Sequence, residues 1–335
     1  MKRIRYTWVA ALLACIILLS GYFSRSRSGV EGVYQRDEGF VFGTVYHMTY
    51  RCDSSLYGDI RQLLNAFDGS LSPFNKSSVI SKVNRNEEVV ADEWFSRVFL
   101  RSQEIYRETE GAFDPTVSPL INAWGFGYDS GIALSPVTVD SLLAFVGMDK
   151  ITLSDNRIIK QDPRITLNFS AIAKGYACDV IGNYLTEKGV SDYLVEIGGE
   201  IVAKGRNPQG DLWSVGINRP DTAARYNRGE ISRVLHFSDA GLATSGNYRN
   251  YRYVDGKRVA HTIDPVGGYP VQHALLSSTV MADDCMTADA YATAFMVMGL
   301  DRSRALLEQH PEIKALFIYA SDNDSTAMAV YSTLP

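Results

Sequence analysis

Tyr193-Leu-Val-Glu-Ile-Gly-Gly-Glu-Ile-Val-Ala-Lys-Gly-Arg-Asn-Pro-Gln-Gly-Asp-Leu-Trp-Ser-Val-Gly-Ile217 contains three strand-length runs, Tyr193 to Ile197, Ile201 to Arg206 and Leu212 to Ile217. Only short breaks separate them, and the second, Asn207-Pro-Gln-Gly210, consists of turn formers. Parallel neighbours would need a crossover of about a dozen residues, so these runs favour antiparallel pairing. The same pattern recurs on either side. Lys150 to Leu153 turns at Asp155-Asn156 into Arg157 to Lys160, Tyr251 to Val254 and Arg258 to Ile263 flank Asp255-Gly256, a type I′ signal, and Lys314 to Ala320 faces Ala327 to Ser332. Gly43 to Cys52 and Arg164 to Phe169 read as further strands.

Apolar residues at helical spacing predict four helices: Leu56 to Ser70; Glu93 to Glu110 with Gly111 as its cap; Ser170 to Lys188 ended by Gly189; and Asp284 to Met298. Hairpins outnumber possible β-α-β units. The expected class is therefore α+β, with largely antiparallel sheets and packed helices.

The 335 residues are 46% hydrophobic with a formal charge of −5, which excludes a disordered chain. Four cysteines without a CxxC pair exclude a disulfide scaffold and a cysteine zinc site, and five histidines without HxH or HExxH leave no histidine zinc motif. The charge is unevenly spread. Residues 1–30 hold five bases and no acid, and residues 31–335 hold 28 bases against 38 acids, a net −10. An acidic body argues against nucleic acid as a partner.

The leader reads as a targeting segment: basic Met1-Lys-Arg-Ile-Arg5, then an uncharged, mostly apolar run from Tyr6 to Phe23. Leu12-Leu-Ala-Cys15 resembles a lipobox, so residues 1–23 are a signal peptide, lipidated at Cys15 or cleaved elsewhere, or an uncleaved membrane anchor. Residues 24–33 are a polar tether, and the folded body is expected over 34–335.

Four segments carry candidate chemistry. In Arg164-Ile-Thr-Leu-Asn-Phe-Ser-Ala-Ile-Ala-Lys-Gly-Tyr-Ala-Cys-Asp179, a strand runs into a helix with Ser170 as N-cap and Lys174 one turn in, an arrangement suited to phosphate or to an ordinary capped helix. In Met286-Thr-Ala-Asp-Ala-Tyr-Ala-Thr293, Asp289 and Thr293 share one face of an otherwise apolar helix and offer the oxygen ligands that Mg²⁺ prefers, unless the aspartate simply accepts hydrogen bonds. Arg258-Val-Ala-His-Thr-Ile-Asp-Pro265 places His261 near a strand end, where it could move a proton, contact phosphate or merely be exposed. Glu110-Gly-Ala-Phe-Asp-Pro-Thr-Val-Ser-Pro-Leu120 is a helix end and a proline-fixed loop, alone no more than a rigid connector.

Taken in order, the chain closely resembles the FAD:protein FMN transferase (ApbE) family. The matching blocks are Phe42-Gly-Thr44, Leu71-Ser-Pro-Phe74, Ser81-Lys-Val-Asn84, Gly111-Ala-Phe-Asp-Pro-Thr116, Asn168-Phe-Ser-Ala-Ile-Ala-Lys-Gly175, Glu196-Ile-Gly-Gly-Glu200, Ala243-Thr-Ser-Gly-Asn-Tyr248, His261-Thr-Ile-Asp-Pro265 and Ala288-Asp-Ala-Tyr-Ala-Thr293. The resemblance implies a T-fold-like α+β architecture and a Mg²⁺-dependent, periplasm-facing, membrane-tethered enzyme. With FAD as substrate, it would join FMN to a threonine or serine of an acceptor flavoprotein and release AMP.

By the same resemblance Phe42, Phe74, Ala112, Phe113, Asp114, Asn168, Lys174 and Ile263 line the FAD pocket, and the Ala171 carbonyl, Asp289 and Thr293 hold Mg²⁺. His261 is the candidate for activating the acceptor hydroxyl, with Asp289 a competing base. Some positions depart from the family pattern. Phe42 stands for a usual methionine, Phe74 for tyrosine or tryptophan, Asn168 for aspartate, and Ala292 for a further metal-ligand aspartate in some members. Two rival readings share these motifs: hydrolysis of FAD to FMN and AMP, and a tethered, non-catalytic FAD-binding protein.

Overall fold

The computed structural model describes residues 32–127, 135–220, 230–247, 251–254, 257–321 and 324–335. The leader 1–23, most of the tether and the Asp255-Gly256 turn lie outside the described residues. Among the described residues, no helix is long and apolar enough to cross a membrane.

In chain order the strands are β1 (Tyr34–Val41), β2 (Thr44–Arg51), β3 (Ile151–Ser154), β4 (Arg157–Lys160), β5 (Tyr193–Ile197), β6 (Glu200–Lys204), β7 (Trp213–Asn218), β8 (Ile231–Phe237), β9 (Ala240–Gly246), β10 (Tyr251–Val254), β11 (Lys257–Ala260), β12 (Leu275–Ala282), β13 (Lys314–Ser321) and β14 (Asp324–Ser332). The helices are α1 (Tyr57–Leu71), α2 (Val79–Asn84), α3 (Glu93–Glu108), α4 (Ser118–Ala123), α5 (Pro136–Leu143), α6 (Ala173–Glu187) and α7 (Cys285–Gln309). One eight-stranded sheet, ordered β1-β2-β5-β6-β9-β12-β13-β14, is antiparallel at every described pairing. The α+β antiparallel expectation therefore holds.

Alternation along the strands sets the layers. In β2, Tyr46, Met48 and Tyr50 are buried against the helices while Val45 and His47 face outward. At the sheet centre both faces are covered: Ala243, Ala315 and Phe317 join Tyr176, Ile181, Tyr291 and Phe295 of α6 and α7, whereas Ile201, Leu242, Leu316 and Ile318 pack under Trp213 and Phe237 of the β7–β8 hairpin.

The helix ends follow from local chemistry. Gly189 (φ +80) ends α6 as expected, donating to Thr186 O while Val190 N–H reaches Leu185 O, the paired bonds of a Schellman cap. Helix α3 stops at Glu108, two residues before the expected end, because Glu110 as well as Gly111 adopts a left-handed backbone. Helix α7 runs past Met298 to Gln309 but is broken at Gly299 (φ 75), close to where the sequence predicts its end.

Two expectations are corrected. Arg164 to Phe169 is not a strand. Ile165, Leu167 and Phe169 are buried in alternation, but the Leu167 N–H and C=O bond the Asn84 side-chain amide at 2.7 and 2.8 Å instead of a neighbouring strand. Ser170 is not the N-cap of α6, which starts at Ala173 after Ile172 without a side-chain cap. Its hydroxyl instead donates to Asn168 Oδ1 at 2.6 Å.

Strands β9 and β12, at the sheet centre, escape sequence reading. Ala240-Gly-Leu-Ala-Thr-Ser-Gly246 is too rich in small residues to signal a strand. The small residues serve packing, since a Cβ on Gly241 would lie 2.2 Å from the Cys285 backbone nitrogen at the start of α7.

Candidate active site

Helices α6 and α7 cross at their N-terminal ends, at a contact that only glycine fits. A Cβ on Gly175 would meet the Cys285 carbonyl oxygen at 2.2 Å and Asp289 Cβ at 2.8 Å. The closeness lets Gly175 N–H donate to Asp289 Oδ2 at 3.0 Å, and Asp179 Oδ1 and Oδ2 accept from Cys285 N–H and Met286 N–H at the start of α7. This first-turn amide, which the sequence reading leaves free for phosphate, is thus taken up by a protein carboxylate.

Lys174 reaches two carboxylates. Its Nζ is 2.8 Å from Glu200 Oε1 and 3.9 Å from Asp289 Oδ2. Burial would push the lysine down, but the charges of Asp289 and Glu200 together lift it above its ordinary range, so it is cationic. Burial raises both carboxyls, and Lys174 counteracts that rise.

Two hollows open beside this cluster, with Ser170 in the walls of both. The first, of about 260 Å³, is lined by Phe42, Phe67, Phe74, Pro73 and Lys174. Phe42 occupies a two-residue turn between β1 and β2 with φ +52, unusual for a bulky residue, and its ring lies 5.5 Å from Phe67. The second, of about 250 Å³, brings together Ala112, Phe113, Asp114, Asn168, Ala171, His261, Ile263 and Thr293. Larger hollows of 350 Å³ lie elsewhere and contain none of these candidate residues.

Every candidate residue from the sequence thus lines one of the two hollows, except Asp289, which is buried beneath them at 2% exposure. Asp114 is also buried. It accepts from Thr116 N–H and Oγ1–H at 2.8 and 2.6 Å, and burial raises it to about 6. His261 follows β11 directly, the strand ending at Ala260 rather than Ile263, and its ring meets Phe126 edge-on at 6.4 Å.

The donor types present, a carboxylate, a hydroxyl and a backbone carbonyl, are those a hard divalent cation takes. Asp289 supplies a carboxylate whose only described hydrogen bond is to Gly175, Thr293 lies one turn along, and Ala171 faces the same hollow. Ala292 is wholly buried in the core, so this part of α7 offers one carboxylate. Among the described residues no three His, Cys, Asp or Glu side chains gather, which leaves hydroxyl and carbonyl oxygens to complete such a site.

Sequence reading misses two participants. Glu200 lies next to a glycine pair in a matching block, a signal that a chain position is held tightly but not of what it touches. Ser245, whose Oγ is 3.1 Å from Thr293 Oγ1, is hidden in the unrecognised strand β9.

Fold and cleft together define an α+β domain with two adjoining hollows beside a lysine–carboxylate cluster, in which the carboxylates are buried and the partly exposed lysine reaches the wall of one hollow. The chain belongs to the ApbE family, whose model matches residues 42–317. Among its relatives, the FAD:protein FMN transferase of Haemophilus influenzae is 36% identical over 85% of this chain and 86% of its own length. That of Vibrio cholerae is 34% identical over 98% of both. Among solved structures, the flavin transferase ApbE of Vibrio cholerae superposes with a TM-score of 0.79 at 31% identity, covering 90% of this chain and 97% of its own. The apo flavinyl transferase ApbE of Pseudomonas stutzeri gives 0.78 at 29% identity, covering 90% and 94%.

Proposed function

We propose that this protein transfers FMN from FAD to a threonine or serine hydroxyl of an acceptor flavoprotein and releases AMP. The observation that carries the reading is the pair of ring-lined hollows sharing Ser170, with cationic Lys174 in the wall of one. A dinucleotide has two ring systems joined by a pyrophosphate, and two hollows that share a wall residue, one of them also lined by a cation, suit such a ligand. An acidic body cannot attract that anion by net charge, so local groups must hold it.

In this reading Phe42 and Phe74 in one hollow, and Ala112, Phe113, Asp114, Asn168 and Ile263 in the other, hold the rings. Lys174 faces the charge that develops on the pyrophosphate as the phosphoanhydride breaks. His261 takes or orients the proton of the acceptor hydroxyl, whose oxygen forms the new phosphoester bond while AMP leaves with the other phosphate. Asp289, Thr293 and the Ala171 carbonyl would hold Mg²⁺, which when bound neutralises charge on the transferring phosphoryl group. The basic leader and apolar run support delivery across a membrane, by residues 1–23 as anchor or by a lipid on Cys15, with the body facing the periplasm.

The test follows the fate of FAD given to the full chain in detergent with Mg²⁺, with and without an acceptor flavoprotein. AMP release that requires acceptor supports transfer. Equal release of AMP and free FMN without acceptor would make the protein a hydrolase, and intact bound FAD would make it a carrier.

A further inference from the structure

Glu200 is almost fully buried, lines neither hollow and yet makes the shortest contact to Lys174. It follows Gly198 (φ 67) and Gly199 (φ 105), a turn whose backbone only glycine adopts readily. Its backbone carbonyl accepts from Cys178 Sγ at 3.2 Å, so main chain and side chain are both tied to α6 within one turn of Lys174. Its second oxygen, Oε2, is also buried, and among the described residues the carboxylate's other hydrogen bond is to its own backbone N–H.

The contact with Lys174 is a competition. One ammonium lies between two buried carboxylates, 2.8 Å from Glu200 and 3.9 Å from Asp289. An ammonium paired directly with Asp289 would neutralise the carboxylate that a divalent cation needs. We propose that Glu200 is a positioning residue that holds Lys174 away from Asp289, keeping the aspartate open to a divalent cation and the ammonium at the wall of the aromatic hollow. The inference rests on the reading of Asp289 as a metal ligand, and it concerns how that ligand is kept available.

The test is binding of Mn²⁺ alone to the full chain, followed by electron paramagnetic resonance and calorimetry without FAD or acceptor. Glu200→Gln keeps the shape and removes the charge, so Lys174 shifts toward Asp289 and the Mn²⁺ Kd rises about tenfold or more. Adding Lys174→Met to that variant removes the competitor and brings the Kd back toward wild type. A purely structural Glu200 would give no such recovery, because a second buried change would only weaken the protein further.

Should Glu200→Gln fail to fold, Glu200→Asp, with thermal unfolding measured alongside, gives a smaller rise in Kd, and Lys174→Met alone gives a lower Kd than wild type. Wild-type Mn²⁺ affinity in a folded Glu200→Gln or Glu200→Asp protein would overturn the proposal, as would a double variant weaker than the single one. Failure of the underlying reading is separate: Asp289→Asn would then leave wild-type Mn²⁺ binding unchanged.

Discussion

Gly175 N–H donates to Asp289 Oδ2 at 3.0 Å across 114 residues of chain, and the space that permits it would be filled by a single methyl group. Gly175→Ala must therefore separate α6 from α7 or rotate Asp289. The clash is with backbone, which cannot yield as a flexible side chain would, so the expected loss is about 1–3 kcal/mol of stability or more. Urea denaturation checks this, and transfer activity should fall further than the stability loss explains, since Asp289 loses its donor.

Asn84 substitutes for a β-strand by bonding both Leu167 backbone groups. Asn84→Ala strands one donor and one acceptor and should cost about 2–3 kcal/mol, at about 1 kcal/mol or more for each bond left unmade. Asn84→Asp keeps the acceptor and loses the donor, so thermal unfolding should place it between wild type and alanine. Because Asn168, Ser170 and Ala171 follow on the same segment, the KM for FAD should rise in the same order.

Burial holds Asp114 near 6, above its unfolded value of 3.8. Its protonated form is thus favoured by folding, so this group's contribution is greatest below about pH 4 and declines as pH rises to about 6. The full decline is on the order of 3 kcal/mol by linkage. Asp114→Asn removes that decline. Denaturation at a series of pH values should show the variant gaining on wild type between pH 4 and 6 and holding a constant margin above.

His261 stands in the wall of the second hollow, which Thr293 and Ala171 also line. As the group that moves the acceptor's proton, His261→Ala should lower the transfer rate by about 10²–10⁴ while leaving FAD affinity within a few-fold of wild type. Stopped-flow transfer assays with equilibrium FAD binding separate the two. If His261→Ala kept full transfer while Asp289→Ala lost it, the base would be Asp289.

The antiparallel class was legible because the hairpins carry their turn residues in the sequence, as at Asp155-Asn156, where both residues adopt positive φ. Most of the cleft was legible because its residues sit in compact ordered blocks. Illegible were features created by distant chain segments meeting. Strand β9 is written in small residues because α7 presses on it, and Arg164 to Phe169 has strand-like burial without a strand neighbour. The Lys174–Glu200–Asp289 cluster joins three blocks whose separations in sequence carry no trace of their contact.

In the proposed reaction the hydroxyl of a protein, not water, takes the FMN half of FAD. This is tested most directly by quantifying, in one reaction with Mg²⁺, the FMN covalently held by acceptor protein by intact-mass spectrometry and the AMP released. Transfer predicts one acceptor-bound FMN for each AMP, with no modification when the acceptor's threonine or serine is replaced by alanine. AMP accompanied by an equal amount of free FMN, on an acceptor whose mass is unchanged, would contradict it.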